Sequence, residues 1–357
     1  MSAGAGGIEL GALLDAARVE RLRRAGALVL DVDDTLLARE RAGGAGGGGV
    51  GIVAEETFAE SASAALLPEL LRRGFTVGLV TGHGWRQLER RLVAPVAARL
   101  RETGDAAACL ARLRVYANRG ATKIAWDGER HAVDEIYGAR HQLRVADVQQ
   151  LRDLLESLGA EFGAKVKEHG EWYGAAFPRF DFASLPARVD EREGAVLVLR
   201  PLPAQRHAAG GMRSNPRAEV YASGLRLLRR ANLHDDYELA ESGRSSIEIT
   251  RRGVSKEAAL RDLLAEVSKA TGGGAAGAAE SPVSVEESLV YVGDEFDEGG
   301  NDAVIPRVFP RSLCLSVAPE RGGVETRAGV VSLAVAAGAE GTAATHALLA
   351  HLLNLSA

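Results

Sequence analysis

At 357 residues, 46% of them hydrophobic and 25% charged, the chain suits one large or two medium soluble domains with a sizeable core. A net charge of −5 gives no global pull toward nucleic acid or an anionic membrane. Two cysteines, Cys109 and Cys314, cannot form a disulfide framework and suit a reducing compartment, the cytoplasm; no stretch reads as a signal peptide or a bilayer span.

The first apolar run, Leu28-Val29-Leu30, ends in Asp31-Val32-Asp33-Asp34-Thr35. It is short, aliphatic and not alternating, which predicts a buried strand. Acids at its tip are costly to desolvate unless something cationic meets them. Asp31 and Asp33 stand two apart, so they share a face of an extended strand, and a turn at Asp33 lets both point at one spot. That suits a nucleophilic carboxylate with a second carboxyl group beside it as proton donor and acceptor. An acidic strand-end turn is the plain alternative. The glycine-rich stretch 42–51 reads as a flexible surface loop. Helix is predicted around Ser63 to Arg73, strand from Phe75 to Val80, and helix from Trp85 to Arg101 with a kink at Pro95. Between the last two lies Thr81-Gly82-His83-Gly84. A hydroxyl followed by glycines at a strand tip binds phosphate through Thr81 and backbone N–H groups, or simply turns the chain with Thr81 as a cap. Val115–Asn118 and Ala121–Trp126 read as short strands.

The middle is different. Val145 to Leu158 is an amphipathic helix, Phe162 to Phe182 reads as strands rich in aromatics, and Val196–Leu199 is a strand. Ala218–Arg230 is a helix, and Tyr237–Thr250 a hairpin turning at Ser242-Gly243. The apolar alternation returns with a helix from Val254 to about Ser268 and a Gly/Ala-rich stretch at 271–279. Strands follow at Leu289–Val292, Leu313–Val317 and Val330–Ala334. A last helix spans Thr342 to Leu355 with Thr342 as N-cap. Ser255 is the N-cap of the helix after Val254, which puts Lys256 in its first turn against the helix dipole. There a lysine attracts an anion, unless it is a solvated surface residue. Strand Leu289–Val292 runs into Gly293-Asp294-Glu295-Phe296-Asp297-Glu298-Gly299-Gly300-Asn301-Asp302, whose acids have no basic residue among them. Such an oxygen-rich cluster suits Mg²⁺, a solvated acidic loop being the alternative. The pattern predicts a parallel-sheet α/β core, residues 1–127 and 246–357, interrupted by an inserted α+β domain, 128–245. In such sheets chemistry lies at the C-terminal strand edges.

The order of carboxylate pair, Thr, Lys and Gly-Asp loop resembles the signature of the haloacid dehalogenase (HAD) superfamily. Asp31-Val32-Asp33-Asp34-Thr35 resembles its first motif, Thr81 its second, Lys256 its third, and Gly293-Asp294 with Asn301-Asp302 its fourth. The insert is similar to the large cap of the Cof-like, sucrose-phosphatase and phosphomannomutase branch, and Gly299-Gly300-Asn301-Asp302 resembles the Gly-Gly-Asn-Asp of the mutases. Thr81-Gly82-His83 departs from the Ser-Gly-Arg of Cof-like members, and Asp34 and Leu37 stand where the mutases carry Gly and Thr.

The resemblance implies a HAD-like doubly wound parallel-sheet core with an α+β cap. It also implies a Mg²⁺-dependent phosphomonoesterase acting on a sugar phosphate or similar small polar phosphate through an aspartyl phosphate. Asp31 would be the nucleophile and Asp33 the proton donor and acceptor. Thr81 and Lys256 would hold the phosphoryl oxygens. Asp31, the Asp33 carbonyl and Asp294 would bind Mg²⁺. Thr35, Gly82, Asn301 and Asp302 would support the site, the last two by orienting Lys256 and coordinated water. His83, Arg200 and Arg213, with Arg206 nearby, are candidate substrate contacts or surface residues. A phosphomutase with the same intermediate and a non-catalytic binding protein of the same fold are the rival readings. The expected partner is a small phosphorylated substrate, not nucleic acid or membrane, and the insert is expected to govern substrate choice and little else.

Overall fold

The computed structural model describes residues 10–41, 52–104, 106–168, 170–171, 188–200, 216–242, 246–272, 286–296, 300–318, 329–337 and 339–356. The stretch 42–51, most of 271–279, residues 172–182 and Gly243 lie outside them. In chain order the strands are β1 (Ala27–Leu30), β2 (Arg39–Arg41), β3 (Ile52–Glu55), β4 (Val77–Val80), β5 (Leu113–Ala117), β6 (Thr122–Trp126), β7 (His131–Val133), β8 (Arg188–Arg192), β9 (Val196–Arg200), β10 (Tyr237–Ser242), β11 (Ser246–Arg251), β12 (Leu289–Gly293), β13 (Leu313–Ser316) and β14 (Val330–Ser332).

The large sheet has the order β14-β13-β12-β1-β4-β5-β6-β7. Its strands pair in parallel from β14 to β5, and β6 and β7 add antiparallel pairs at one edge. Helices cover both faces, which is why β1 reads as an unbroken apolar run. Leu28 and Leu30 pack with helices Leu67–Arg72, Ala94–Arg101 and Gly341–Leu355 on one side. Ala27 and Val29 pack with helix Lys256–Gly272 on the other. The predicted kink before Arg101 takes the form of a π turn, Glu89–Val93, between helices Trp85–Leu88 and Ala94–Arg101. Pro95 has no N–H to give to the Arg91 carbonyl, which accepts the Phe58 N–H instead (3.0 Å).

A smaller antiparallel sheet, β10-β11-β9-β8, carries helices Val145–Glu168 and Pro216–Arg230 on one face. The first of these helices corrects the strand expected from Phe162. Leu151, Leu154, Leu155, Leu158, Phe162 and Val166 are all buried against the sheet, so the helical period continues to Glu168. Sheet pairing also places two strands across the expected domain boundaries. β7 belongs to the large sheet and β11 lies between β9 and β10 in the small one. Two C-terminal elements differ as well. The run from Val330 leaves the sheet after Ser332 and continues as helix Leu333–Ala337. The last helix begins at Gly341 with Glu340 at its N-cap, so Thr342 lies inside it, and the Thr342 carbonyl accepts the Ser63 hydroxyl (2.6 Å). No helix among the described residues is long and apolar enough to cross a membrane.

His131 on the edge strand β7 gives a stability prediction. It is buried, with Nε2 3.4 Å from the Leu113 carbonyl and its ring edge-on to Trp126. Burial pulls its pKa below the ordinary 6.5. A depressed histidine adds stability above the unfolded-state pKa, and that stability is lost as pH falls through the lower folded value. The melting temperature of His131→Phe relative to the parent should therefore rise as pH drops from about 7 to about 5. A difference independent of pH would refute this account of His131.

Candidate active site

Strands β4, β1 and β12 lie side by side and end together. The Asp31 N–H donates to the Val292 carbonyl (2.9 Å), so pairing with β12 carries one residue past Leu30. The chain then reverses. Asp34 takes φ 55°, its N–H donates to the Leu37 carbonyl (2.9 Å), and the Leu37 N–H donates to the Val32 carbonyl (2.8 Å). Aspartate is one of the few side chains that tolerate this left-handed backbone.

Asp31 is 4% exposed. One of its carboxylate oxygens accepts the Val32 N–H (2.8 Å), and the other lies 3.0 Å from Lys256 Nζ. Lys256 enters from the first turn of its helix, where Ser255 Oγ accepts the Ala258 N–H (3.1 Å) as the expected cap. Lys256 Nζ also donates to Asp302 Oδ1 (2.7 Å), as does the Tyr291 hydroxyl (2.5 Å). Asp302 Oδ2 accepts the Glu295 N–H (3.0 Å). Gly293 permits this approach, since a Cβ there would stand 2.4 Å from Asp302 Oδ2. Asp31, Asp294 and Asp302 bring carboxylate oxygens within 4.8 Å of one another.

One ammonium thus meets two carboxylates, and the third, Asp294, crowds the same pair. Burial pushes the Asp31 carboxyl up to about 7; Lys256 opposes the rise, while Asp302 and Asp33 add to it. Burial also holds Asp294 well above the usual carboxylate range, with Asp31 and Asp302 adding to the effect. For Lys256, burial works against the charge, but the Asp302 and Asp31 carboxylates outweigh it and its pKa rises. The residues present fit a divalent cation. The donor set is all oxygen, its negative charge exceeds what Lys256 can balance, and Asn301 Oδ1 and Thr35 Oγ1 are buried with no hydrogen-bond partner among the described residues. Asp302, expected as a supporting residue, joins this carboxylate triad.

The Asp33 side chain turns to His83, with Oδ1 2.5 Å from Nε2, and His83 Nδ1 is 2.9 Å from Gln87 Oε1. Thr81 is fully buried, and its hydroxyl accepts the His83 N–H (3.1 Å). Gly82 leads into the same loop. Arg200 stands apart: register pairs it with Arg188 at the end of the β8–β9 hairpin away from the turn, and it is exposed beside Asp190 (2.6 Å). Arg206, Arg213, Asp297, Glu298 and Gly299 lie outside the described residues.

Arg119, Arg192 and Glu193 also close on the Thr81–Gly84 loop, with Glu248 between the two arginines, and no local pattern in the sequence singles them out. A cavity of about 420 Å³ lies elsewhere, at the N-terminal ends of β1, β4 and β5, the opposite end of the strands from the carboxylates. It is lined by Arg23, Arg24, Arg112 and Arg114, but Arg23 and Arg24 pair with Glu20 and Arg114 with Glu266.

No protein-family model matches the chain, and no curated protein matches it in sequence. Solved structures match its fold. An N-terminally truncated, IMP-bound Plasmodium falciparum IMP-nucleotidase gives a TM-score of 0.51 at 13% identity, over 95% of this chain and 71% of that one. Aspergillus fumigatus trehalose-6-phosphate phosphatase gives 0.50 at 12% identity, over 96% and 98% of the two chains. With the parallel sheet and the strand-tip carboxylates in place, the chain has the HAD fold: an α/β core that carries a second, antiparallel sheet.

Proposed function

We propose that the chain is a Mg²⁺-dependent phosphomonoesterase working through an aspartyl phosphate on Asp31. The observation that carries this reading is the buried Asp31 carboxylate, 3.0 Å from Lys256 Nζ, among converging acids at the tips of β1 and β12. An Asp31 oxygen attacks phosphorus, the bond to the leaving oxygen breaks, and the Asp33 carboxyl gives its proton to that oxygen. Water then attacks the same phosphorus, Asp33 takes a proton from it, and inorganic phosphate leaves as Asp31 is restored. Lys256 and Thr81 hold the phosphoryl oxygens, so positioning and charge balance carry most of the catalysis. Asp31, the Asp33 carbonyl and Asp294 would hold Mg²⁺, with Asp302 beside them. When bound, the ion adds the positive charge that the acids and the phosphoryl group lack.

The substrate class we favour is a small polar phosphate such as a sugar phosphate. Both cysteines are buried and neither forms a disulfide, which supports a reducing compartment such as the cytoplasm. Purified protein should hydrolyse an aryl phosphate with Mg²⁺ and lose that activity in chelator. Robust hydrolysis in excess chelator would sink the metal assignment, and no hydrolysis of aryl, sugar or nucleoside phosphates would sink the reading itself.

A further inference from the structure

The chain leaves β4 through Thr81-Gly82-His83 and enters helix Trp85–Leu88 at Gly84, a residue with no side chain to cap the helix. The first N–H groups of a helix need a partner from elsewhere. Here it comes from the small sheet. Glu193 Oε2 accepts the Trp85 N–H (2.7 Å) and Oε1 the Arg86 N–H (2.8 Å). Asn118 Nδ2 adds a third donor to Oε2 (3.0 Å). Glu193 sits at the tip of the β8–β9 hairpin with φ 54°, followed by Gly194 at φ 68°, in a turn closed by the Ala195 N–H on the Arg192 carbonyl (2.9 Å). Glutamate is a poor choice for a left-handed position, and strain of this kind persists where the surroundings make use of it.

Each carbonyl of the loop is also held. The Thr81 carbonyl accepts the Arg119 N–H (2.8 Å) and the His83 carbonyl the Asn118 N–H (2.7 Å). The Gly82 carbonyl accepts Arg192 Nη1 (2.9 Å). Glu248, 2% exposed in the small sheet, sits between the two arginines, 3.0 Å from Arg119 and 3.4 Å from Arg192. Ala195, Val196 and Val198 of the hairpin pack with Ala121 and Val254 beside them.

We infer that Glu193 is a positioning residue for the Thr81–Gly84 loop, so that the inserted sheet completes the phosphoryl-binding machinery. This rests on the reading of Thr81 as a phosphoryl ligand. Its carboxylate meets Trp85, Arg86 and Asn118 and not Asp31, so it acts by fixing the loop that presents Thr81.

The test compares the parent with Glu193→Ala and Glu193→Gln, the latter keeping one acceptor oxygen. On an aryl phosphate with Mg²⁺, kcat should fall about 10- to 100-fold in Glu193→Ala and less in Glu193→Gln, with KM changed by less than about threefold, as displacement of a reacting group predicts. Amide hydrogen exchange gives a readout that needs no activity. Trp85 and Arg86 should exchange faster in both variants while β4 keeps its protection. Should Glu193→Ala fail to fold, Glu193→Gln decides alone by the same two measurements. A variant with parental kcat, or with unchanged exchange at Trp85 and Arg86, overturns the inference. With an inactive parent the phosphatase reading fails, and the exchange result still decides whether Glu193 fixes the loop: faster exchange upholds it, unchanged exchange ends it.

Discussion

Asp31→Asn is expected to lower kcat on an aryl phosphate by on the order of 10³-fold or more. Asparagine fills the same volume, and its oxygen can still accept the Val32 N–H that Asp31 holds at 2.8 Å. It offers no carboxylate to form the acyl phosphate, and nothing else among the converging acids replaces it, because Asp302 is tied to Lys256, Tyr291 and the Glu295 N–H. In the parent, beryllium fluoride or an acid-quenched phosphoenzyme should mark Asp31; a mark elsewhere ends this mechanism. The same variant should alter stability in the opposite direction. Asp31 is raised from 3.8 to about 7, chiefly by burial, so its charged form fits the folded state less well than the unfolded one. Stability is then fully present below the unfolded-state value and lost as pH climbs through the folded one. Asparagine never ionises. In metal-free buffer Asp31→Asn should melt above the parent at about pH 8 and lose that advantage toward pH 4. A variant that melts lower throughout would mean that Asp31 sits in a balanced charge environment.

Residues in the site differ in how far the sequence announces them. Asp31, Thr81, Lys256 and Asp294 each follow a short apolar run or a helix cap, and both signals are local. Leu28 and Leu30 face one layer of helices and Val29 another, so the run cannot alternate and reads as buried. Glu193 carries no such mark. Its partners, Trp85, Arg86 and Asn118, come from distant parts of the chain, and only the pairing of β8 with β9 brings its turn to the loop. Glu248 is similarly silent: in Ser246-Ile247-Glu248-Ile249 it looks like the solvent side of an alternating strand, yet Arg119 and Arg192 cover it. Misreadings have local causes too. Glycines at Gly159 and Gly163 and the aromatic Phe162 interrupt a helical pattern that buried contacts continue to Glu168. Asp302 was legible as a neighbour of Lys256. Its place in the carboxylate triad depends on the close approach that Gly293 allows.

Lys256→Ala is the second change with a large expected effect, and here two rules disagree on sign. From sequence, a lysine in the first helical turn opposes the dipole, and removing it should stabilise the protein by about 0.3–1 kcal/mol. The structure adds a larger effect. Nζ lies 3.0 Å from Asp31 and 2.7 Å from Asp302 and is buried with them. Taking away one partner of a buried pair costs about 3–5 kcal/mol, because the remaining charges are left without compensation. The larger quantity decides: metal-free Lys256→Ala should melt below the parent, not above it. Burial works against the charged form, but Asp302 and Asp31 outweigh it and raise the Lys256 pKa above 10.5. Its contribution is therefore fully present below the unfolded-state value and lost only as pH rises through the still higher folded value, so the loss should be undiminished at neutral pH. Protonating the carboxylates removes what Lys256 compensates, so the penalty should shrink in acid. On activity, a cation facing the phosphoryl oxygens is lost, at a cost of about 2.7–4 kcal/mol, or 10²–10³ in kcat. Thermal melts at pH 5 and 8 together with kcat/KM on an aryl phosphate separate the cases. Unchanged kcat/KM would remove Lys256 from the chemistry, and a higher melting temperature at pH 8 would show that the dipole outweighs the pair.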